Sequence, residues 1–198
     1  MNQALQAKLK TLPRTPGVYF HKSASGEVIY VGKAAVLKNR VRQYFQDSRG
    51  RDNKTMALVA EIFDTDWIET ESEVDALFLE SEMIKRYMPR YNVLLRDDKS
   101  QMYVRIDMKS DWPTVSFTRN PADDGADYFG PFYNGFALKK ALRYLRRIFP
   151  YLTRQRRPGQ SKLDEDLGLS PKISDGSDAY KTGLRKLISY IKGNRKAI

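Results

Sequence analysis

The chain has 198 residues, 41% of them hydrophobic, which suffices for a folded core of ordinary size. Its 35 Lys and Arg outnumber 24 Asp and Glu, and a net charge of +11 points to a polyanionic partner, most often nucleic acid, although a merely soluble basic surface is also compatible with it. With no cysteine and one histidine, a disulfide framework, a thiolate site and a multi-histidine metal site are excluded, so any catalytic metal rests on oxygen ligands.

Residues 2–12 can form a short helix that Pro13 and Pro16 end. "GVYFHK" and "EVIYVG" are rich in β-branched and aromatic residues and flank Ser23-Ala24-Ser25-Gly26, which reads as a hairpin. If those four residues are the loop, Lys22 pairs with Glu27 and Tyr19 stands opposite Tyr30. From Ala35 to Phe45 the apolar steps of three and four predict a helix, on which Arg40 and Tyr44 share a face. A helix over "NKTMALVAEIF" and a short strand at "DWIET" follow. Ser72 and Asp75 resemble a capping box opening the helix "EVDALFLESEMIKRY", which Pro89 ends. Strands are expected at "MYVRIDM" and "TVSFTR", then a loop over "NPADDGADYFGPFYNG" and a basic helix, "FALKKALRYLRRIF". Residues 151–178 read as loop, and the helix "AYKTGLRKLISYIKG" closes the chain. The fold class is α/β: an antiparallel hairpin plus a third strand flanked by helices, then a strand and helix extension. No apolar run is long enough to span a membrane, no basic helix has a clean apolar face, and the N-terminus lacks a signal-peptide stretch, so a cytoplasmic protein without a membrane partner is expected.

On its helix Glu80 shares a face with Leu77, Ile84 and Tyr87, an apolar stripe that aims the carboxylate inward or into a cleft. A buried carboxylate needs a cation: an arginine, a lysine or a metal. The bland alternative, a surface glutamate at the stripe's margin, is equally compatible with the spacing. Each tyrosine taken alone reads as packing, Arg40 as solvated and Lys33 as the end of a strand. Their convergence with Glu80 in one small basic unit favours phosphodiester hydrolysis. There the water must lose a proton and the phosphate gathers negative charge. Lys33 and Arg40 are expected to lower the pKa of a neighbouring phenol. Arg40 can clamp the phosphate with a planar fork of donors, and Glu80 can hold one Mg²⁺ or Mn²⁺.

Gly17-Val18-Tyr19 and Tyr30-Val31-Gly32, followed by Arg40, Glu80 and Asn92, resemble the GIY-YIG nuclease family. "PRYNVLLRDDKS" and "YFGPFYNG" narrow the resemblance, from about residue 13 to 150, to the N-terminal part of the UvrC family, a subunit of the bacterial UvrABC excinuclease. The resemblance implies three parts: a GIY-YIG endonuclease domain over 13–95, a strand and helix extension over 96–150, and residues 151–198. It implies Tyr30 as general base assisted by Tyr19, though the motif leaves open which phenol takes the proton. It further implies Lys33 as electrostatic aid, Arg40 on the phosphate, Tyr44 supporting it, Glu80 as ligand of a single divalent cation, and Asn92 orienting the site. Incision 3′ to a DNA lesion, on a UvrB–DNA complex and damaged double-stranded DNA, is the activity implied.

UvrC proteins commonly carry a cysteine cluster after the position of Pro150, thought to hold an iron–sulfur cluster. Here Lys162, Ser170 and Ser174 stand at those places, so no cluster is expected. The chain also stops before the UvrB-binding hairpin, the RNase H-like nuclease domain and the helix-hairpin-helix motifs of that family. Two other readings compete: an idle DNA- or partner-binding module, and a GIY-YIG nuclease outside excision repair. Candidate DNA contacts are Lys38, Arg42, Arg96, Lys99, Lys139, Lys140, Arg143, Arg146 and Arg147, with about half expected to be merely solvated. Their readout would be of the backbone rather than of bases.

Overall fold

The computed structural model describes residues 2–46, 52–94, 101–155 and 163–194. The chain divides into two compact units, Met1–Arg96 and Asp97–Ile198. Among the described residues no helix is long and apolar enough to cross a membrane.

The first unit runs α1 (Gln3–Lys10), β1 (Gly17–Lys22), β2 (Val28–Ala34), α2 (Leu37–Gln43), α3 (Asn53–Glu61), β3 (Asp64–Glu69), α4 (Glu73–Tyr87) and α5 (Arg90–Leu94). Local chemistry sets the helix starts. The Asn2 side chain accepts from the Leu5 N–H at 2.7 Å, and Asp52 accepts from the Thr55 N–H at 2.6 Å. Ser72 accepts from the Asp75 N–H at 3.1 Å while its hydroxyl donates to the Asp75 carboxylate at 2.6 Å, the expected start of α4. That helix ends where Met88 turns left-handed, with φ of 44°, just before Pro89.

The sheet is antiparallel in the order β2-β1-β3. Its register corrects the expected pairing: Tyr19 faces Gly32, not Tyr30, and Tyr30 faces His21. Pairing passes from His21–Tyr30 to Lys22–Val28, so Ile29 is a bulged extra residue. The displacement from the expected register is two residues, a full pleat, so both phenols stay on one face. That face packs on α1, α2 and α3 through Leu5, Leu9, Ile29, Leu37, Val41 and Leu58. Val18 and Phe20 are buried on the other face, and α4 packs against β1 and β2. The helix buries Ala76, Leu77, Phe78, Met83 and Ile84, but Tyr87, expected in the same stripe, is 45% exposed at the helix end and edges the Phe20 ring. Lys8 bonds Asp64 at 2.9 Å and also Asp66, which in turn bonds Lys22, tying α1 to β3 and β1.

The second unit contains β4 (Met102–Ile106), β5 (Val115–Thr118), β6 (Asp127–Phe132), α6 (Gly135–Leu145), α7 (Leu163–Asp166) and α8 (Gly176–Ile191). The sheet order is β5-β4-β6. Strand β6 lies inside the stretch expected to be loop. Gly130 and Pro131 hide it in the sequence, yet β6 is an edge strand, where a residue without an N–H is tolerated. Residues 151–178 are likewise not all loop: α7, a 3₁₀ turn at Ile173–Asp175 and a bridge from Leu152 to Thr114 fall within them. Helix α8 is anchored by Tyr180, whose hydroxyl donates to the Pro113 carbonyl at 2.5 Å and receives the Leu152 N–H at 3.1 Å.

A methyl group on Gly17 would strike the Ile68 carbonyl and the Leu37 side chain. Gly17→Ala is therefore expected to destabilise the protein by about 1–3 kcal/mol, read as a lower urea midpoint at unchanged slope.

Candidate active site

β2 is the edge strand of its sheet, so among the described residues no strand neighbours the outward peptide groups of Val31 and Lys33. Two side chains occupy that edge. Asn92, from α5, accepts the Val31 N–H at 2.7 Å and donates to the Val31 carbonyl at 2.8 Å. Glu80, from α4, accepts the Lys33 N–H at 2.8 Å. A carboxamide thus reproduces the donor and acceptor that a paired residue would offer. Glu61 of α3 holds α5 in place through Arg90 and through the Tyr91 hydroxyl at 2.8 Å. Neither Glu61 nor Tyr91 has a signature in the sequence.

The hydrogen bond to Glu80 comes from the backbone N–H of Lys33, and the charges of Lys33 and Arg40 act on its carboxylate. Burial lifts the carboxyl pKa to about 7, and the Lys33 N–H bond and the charges of Lys33 and Arg40 only partly oppose this. A carboxyl so placed gains from a further positive charge. The described residues contain no group of three or more His, Cys, Asp or Glu able to hold a metal. A hard divalent ion bound here would thus take Glu80 and fill its shell mostly with water, a habit of Mg²⁺.

Over the same strand lies an aromatic cluster. The Tyr19 ring covers Gly32 so closely that a methyl group there would overlap its hydroxyl and ring. The Tyr19 and Tyr44 hydroxyls are 3.0 Å apart, and the Tyr30 ring lies 6.1 Å from both rings. Arg40 sets its guanidinium over the Tyr44 ring at 5.6 Å and donates to Gln43 at 3.1 Å. Tyr19 is 1% exposed, whereas Tyr30 is half-buried and Arg40 is exposed. The structure thus brings Tyr19, Tyr30, Arg40, Tyr44, Glu80 and Asn92 together, and Lys33 enters through its backbone.

The expected lowering of phenol pKa does not occur. Burial raises both Tyr19 and Tyr30 above the ordinary tyrosine range, with neighbouring phenols adding to the rise. The Glu80 charge raises Tyr30 further, and the opposing pull of Arg40 is the smaller effect. Desolvation wins over the cation.

Sequence reasoning missed His21, which is fully buried beneath the phenols. Its Nδ1 bonds the Thr65 hydroxyl at 2.8 Å, and among the described residues its Nε2 has no hydrogen-bond partner. The Tyr44 ring meets it edge-on at 4.7 Å, and Tyr19 and Tyr30 lie at 5.2 and 6.1 Å. Burial, with Arg40 nearby, pushes its pKa down to about 3, so the imidazole is neutral.

Of the candidate DNA contacts, Lys38 is half-buried in α2 and Arg42 donates to the Leu9 carbonyl at 3.3 Å. Lys139, Lys140, Arg143 and Arg147 are exposed in the second unit. Arg146 is instead held inside that unit, bonding the Tyr151 carbonyl at 2.9 Å and Asp164 at 3.0 Å. Arg96, Lys99 and Lys162 lie outside the described residues. Ser170 is buried, and the Ser174 hydroxyl donates to Asp175 at 3.2 Å.

Residues 15–93 match the family model described as a UvrC-like GIY-YIG domain. The chain is 43% identical over 164 residues to the UvrABC system protein C of Thermoanaerobacter sp. strain X514, covering 83% of this chain and 26% of that protein. It is 50% identical over 148 residues to that of Clostridium perfringens strain SM101, covering 75% and 24%. The chain spans about a quarter of the length of these relatives. A crystal structure of the GIY-YIG N-terminal endonuclease domain of UvrC from Thermotoga maritima, bound to magnesium, is 35% identical, with a TM-score of 0.41 over 46% of this chain and 99% of that one. Residues 15–93 therefore form a GIY-YIG domain. Within that class the domain is of the UvrC type, and through it the chain belongs to the UvrC family.

Two outcomes follow from the buried polar groups. Asn92→Ala removes both partners of the buried Val31 peptide and is expected to cost about 2–4 kcal/mol in chemical denaturation. Folded His21 stays neutral down to about pH 3, whereas the unfolded chain takes up that proton near the ordinary value of 6.5. The unfolded state then binds more protons in this window, so stability falls as pH drops through it, by up to about 1.4 kcal/mol per pH unit. In urea melts between pH 7 and 4, His21→Phe is expected to flatten that slope relative to the wild type.

Proposed function

We propose that this chain is a metal-dependent DNA endonuclease that hydrolyses a phosphodiester on the 3′ side of a lesion in nucleotide excision repair. The observation that carries the reading is the convergence of Tyr30, Arg40, Tyr44 and Glu80 at one strand edge. Its substrate is damaged double-stranded DNA, presented in a complex with UvrB. The relatives it matches are each named as protein C of a UvrABC system.

Exposed Arg40 offers its remaining guanidinium donors to the scissile phosphate, with Tyr44 as the surface on which it rests. Tyr30, half-buried rather than sealed, is the phenol within reach of an attacking water and takes its proton. Tyr19 and Tyr44 hold each other's hydroxyls and support the Tyr30 ring from below. A divalent cation held by Glu80, Mg²⁺ or Mn²⁺, supplies positive charge that offsets the charge gathering on the phosphate and favours the phenolate of the neighbouring tyrosine. Asn92 keeps the strand edge, and with it Tyr30 and the Lys33 N–H, at a constant position. The exposed cations Lys139, Lys140, Arg143 and Arg147, with Lys38, bind DNA phosphates.

The test is a nicking assay on a lesion-bearing duplex with UvrA and UvrB supplied. The wild type is expected to nick 3′ to the lesion in Mg²⁺ or Mn²⁺ and not in EDTA. Tyr30→Phe is expected to slow cleavage by about 100-fold or more, the range for a lost general base. Arg40→Ala and Glu80→Gln are expected to reduce it below detection, with melting behaviour close to the wild type. A wild-type protein that never cuts under these conditions overturns the enzymatic reading, leaving a binding module.

A further inference from the structure

Helix α6 presents two contrasting sides. Leu138, Ala141, Leu142 and Leu145 are buried. The outward side carries Phe136, 81% exposed, and Tyr144, 58% exposed, interleaved with Lys140 and Arg143 and followed by exposed Arg147 in the turn after the helix. Large aromatics left this open are unusual on a soluble surface, and these stand at helical spacing with cations between them. From Gly135 to Arg147 there is no acidic residue. Among the described residues Lys140, Arg143 and Arg147 form no ion pair, and neither aromatic ring has a ring partner. Beside them Lys139 lies 5.8 Å over the ring of Phe117, an exposed residue of β5.

We propose that the outward face of α6 is a platform for single-stranded DNA, on which Phe136 and Tyr144 stack unpaired bases while Lys140, Arg143 and Arg147 hold the phosphates. The charge selects a polyanion. The rings select bases whose faces are open, because in a duplex those faces are already stacked on one another. Eight residues separate the two aromatics, about 12 Å along the helix axis, so each ring serves a different base. The inference deepens the DNA-acting reading above and rests on it, naming the form of DNA that this face takes: a strand opened or unstacked around damage.

The experiment measures binding of the full chain to a labelled oligothymidylate and to a duplex of equal length, by anisotropy in EDTA. No cleavage is needed, so an inactive nuclease and an absent platform give different results. Phe136→Ala and Tyr144→Ala are each expected to weaken oligothymidylate binding about tenfold, within the range for a lost base stack, with duplex binding changed less than about twofold. Lys140→Ala and Arg143→Ala are expected to weaken both and to reduce the salt slope by about one. Phe136→Trp is expected to keep the affinity, and its added fluorescence to be quenched when the strand binds. Since these side chains are exposed, melting temperatures close to wild type will show that folding is intact. Equal loss on strand and duplex, unchanged strand affinity in both alanine variants, or no quenching of the fluorescence added by Phe136→Trp overturns the proposal.

Discussion

The first unit depends on how the open edge of β2 is closed. A strand at the border of a sheet leaves a row of N–H and C=O groups without partners, and buried groups of that kind are costly. Here the closing groups are side chains, Asn92 on Val31 and Glu80 on Lys33. The residues that the proposed chemistry needs are therefore also the ones that complete the sheet. Helices α4 and α5 are drawn against one strand by the same contacts that define the site. Any shift of either helix would break backbone pairing, so the geometry is held by folding energy rather than by substrate.

A second constraint is charge. At rest the floor of the site is nearly neutral: Tyr19 and Tyr30 keep their protons, His21 lacks one, and Glu80 sits near the midpoint of its titration at neutral pH. Arg40 and Lys33 are the fixed charges beside them. In so dry a setting a single added charge has a large effect, because little water is present to screen it. The Tyr19 ring can lie on Gly32 because that residue has no side chain, and the burial of Tyr19 in this packing is what raises its pKa. Sterics at one glycine and electrostatics at one phenol are thus the same feature viewed at two scales.

What the sequence revealed, and what it hid, follows from the range of the forces involved. Helix α4 was legible because its start and end are local chemistry, Ser72 bonding Asp75 and Pro89 after the last turn. The hairpin was legible in kind but not in register, because nothing in the residue pattern announces that Ile29 is bulged. Strand β6 was concealed by Gly130 and Pro131, which signal a break unless the strand is known to be at an edge. The stripe around Glu80 pointed inward correctly, but its backbone acceptor role has no residue-level signature. The direction of the tyrosine shifts was misjudged because it depends on depth of burial, a property of the whole fold. His21 escaped notice for the same reason.

The bulge at Ile29 separates the hairpin's tip from its base. Pairing from Gly17 to His21 is continuous with the site, while the turn beyond Lys22 lies past the irregularity. A register change confined to that turn can be absorbed where the extra residue already sits. Relatives could accordingly lengthen or shorten the tip by a residue, and so remodel an exposed knuckle, while the two phenols keep their address on the sheet.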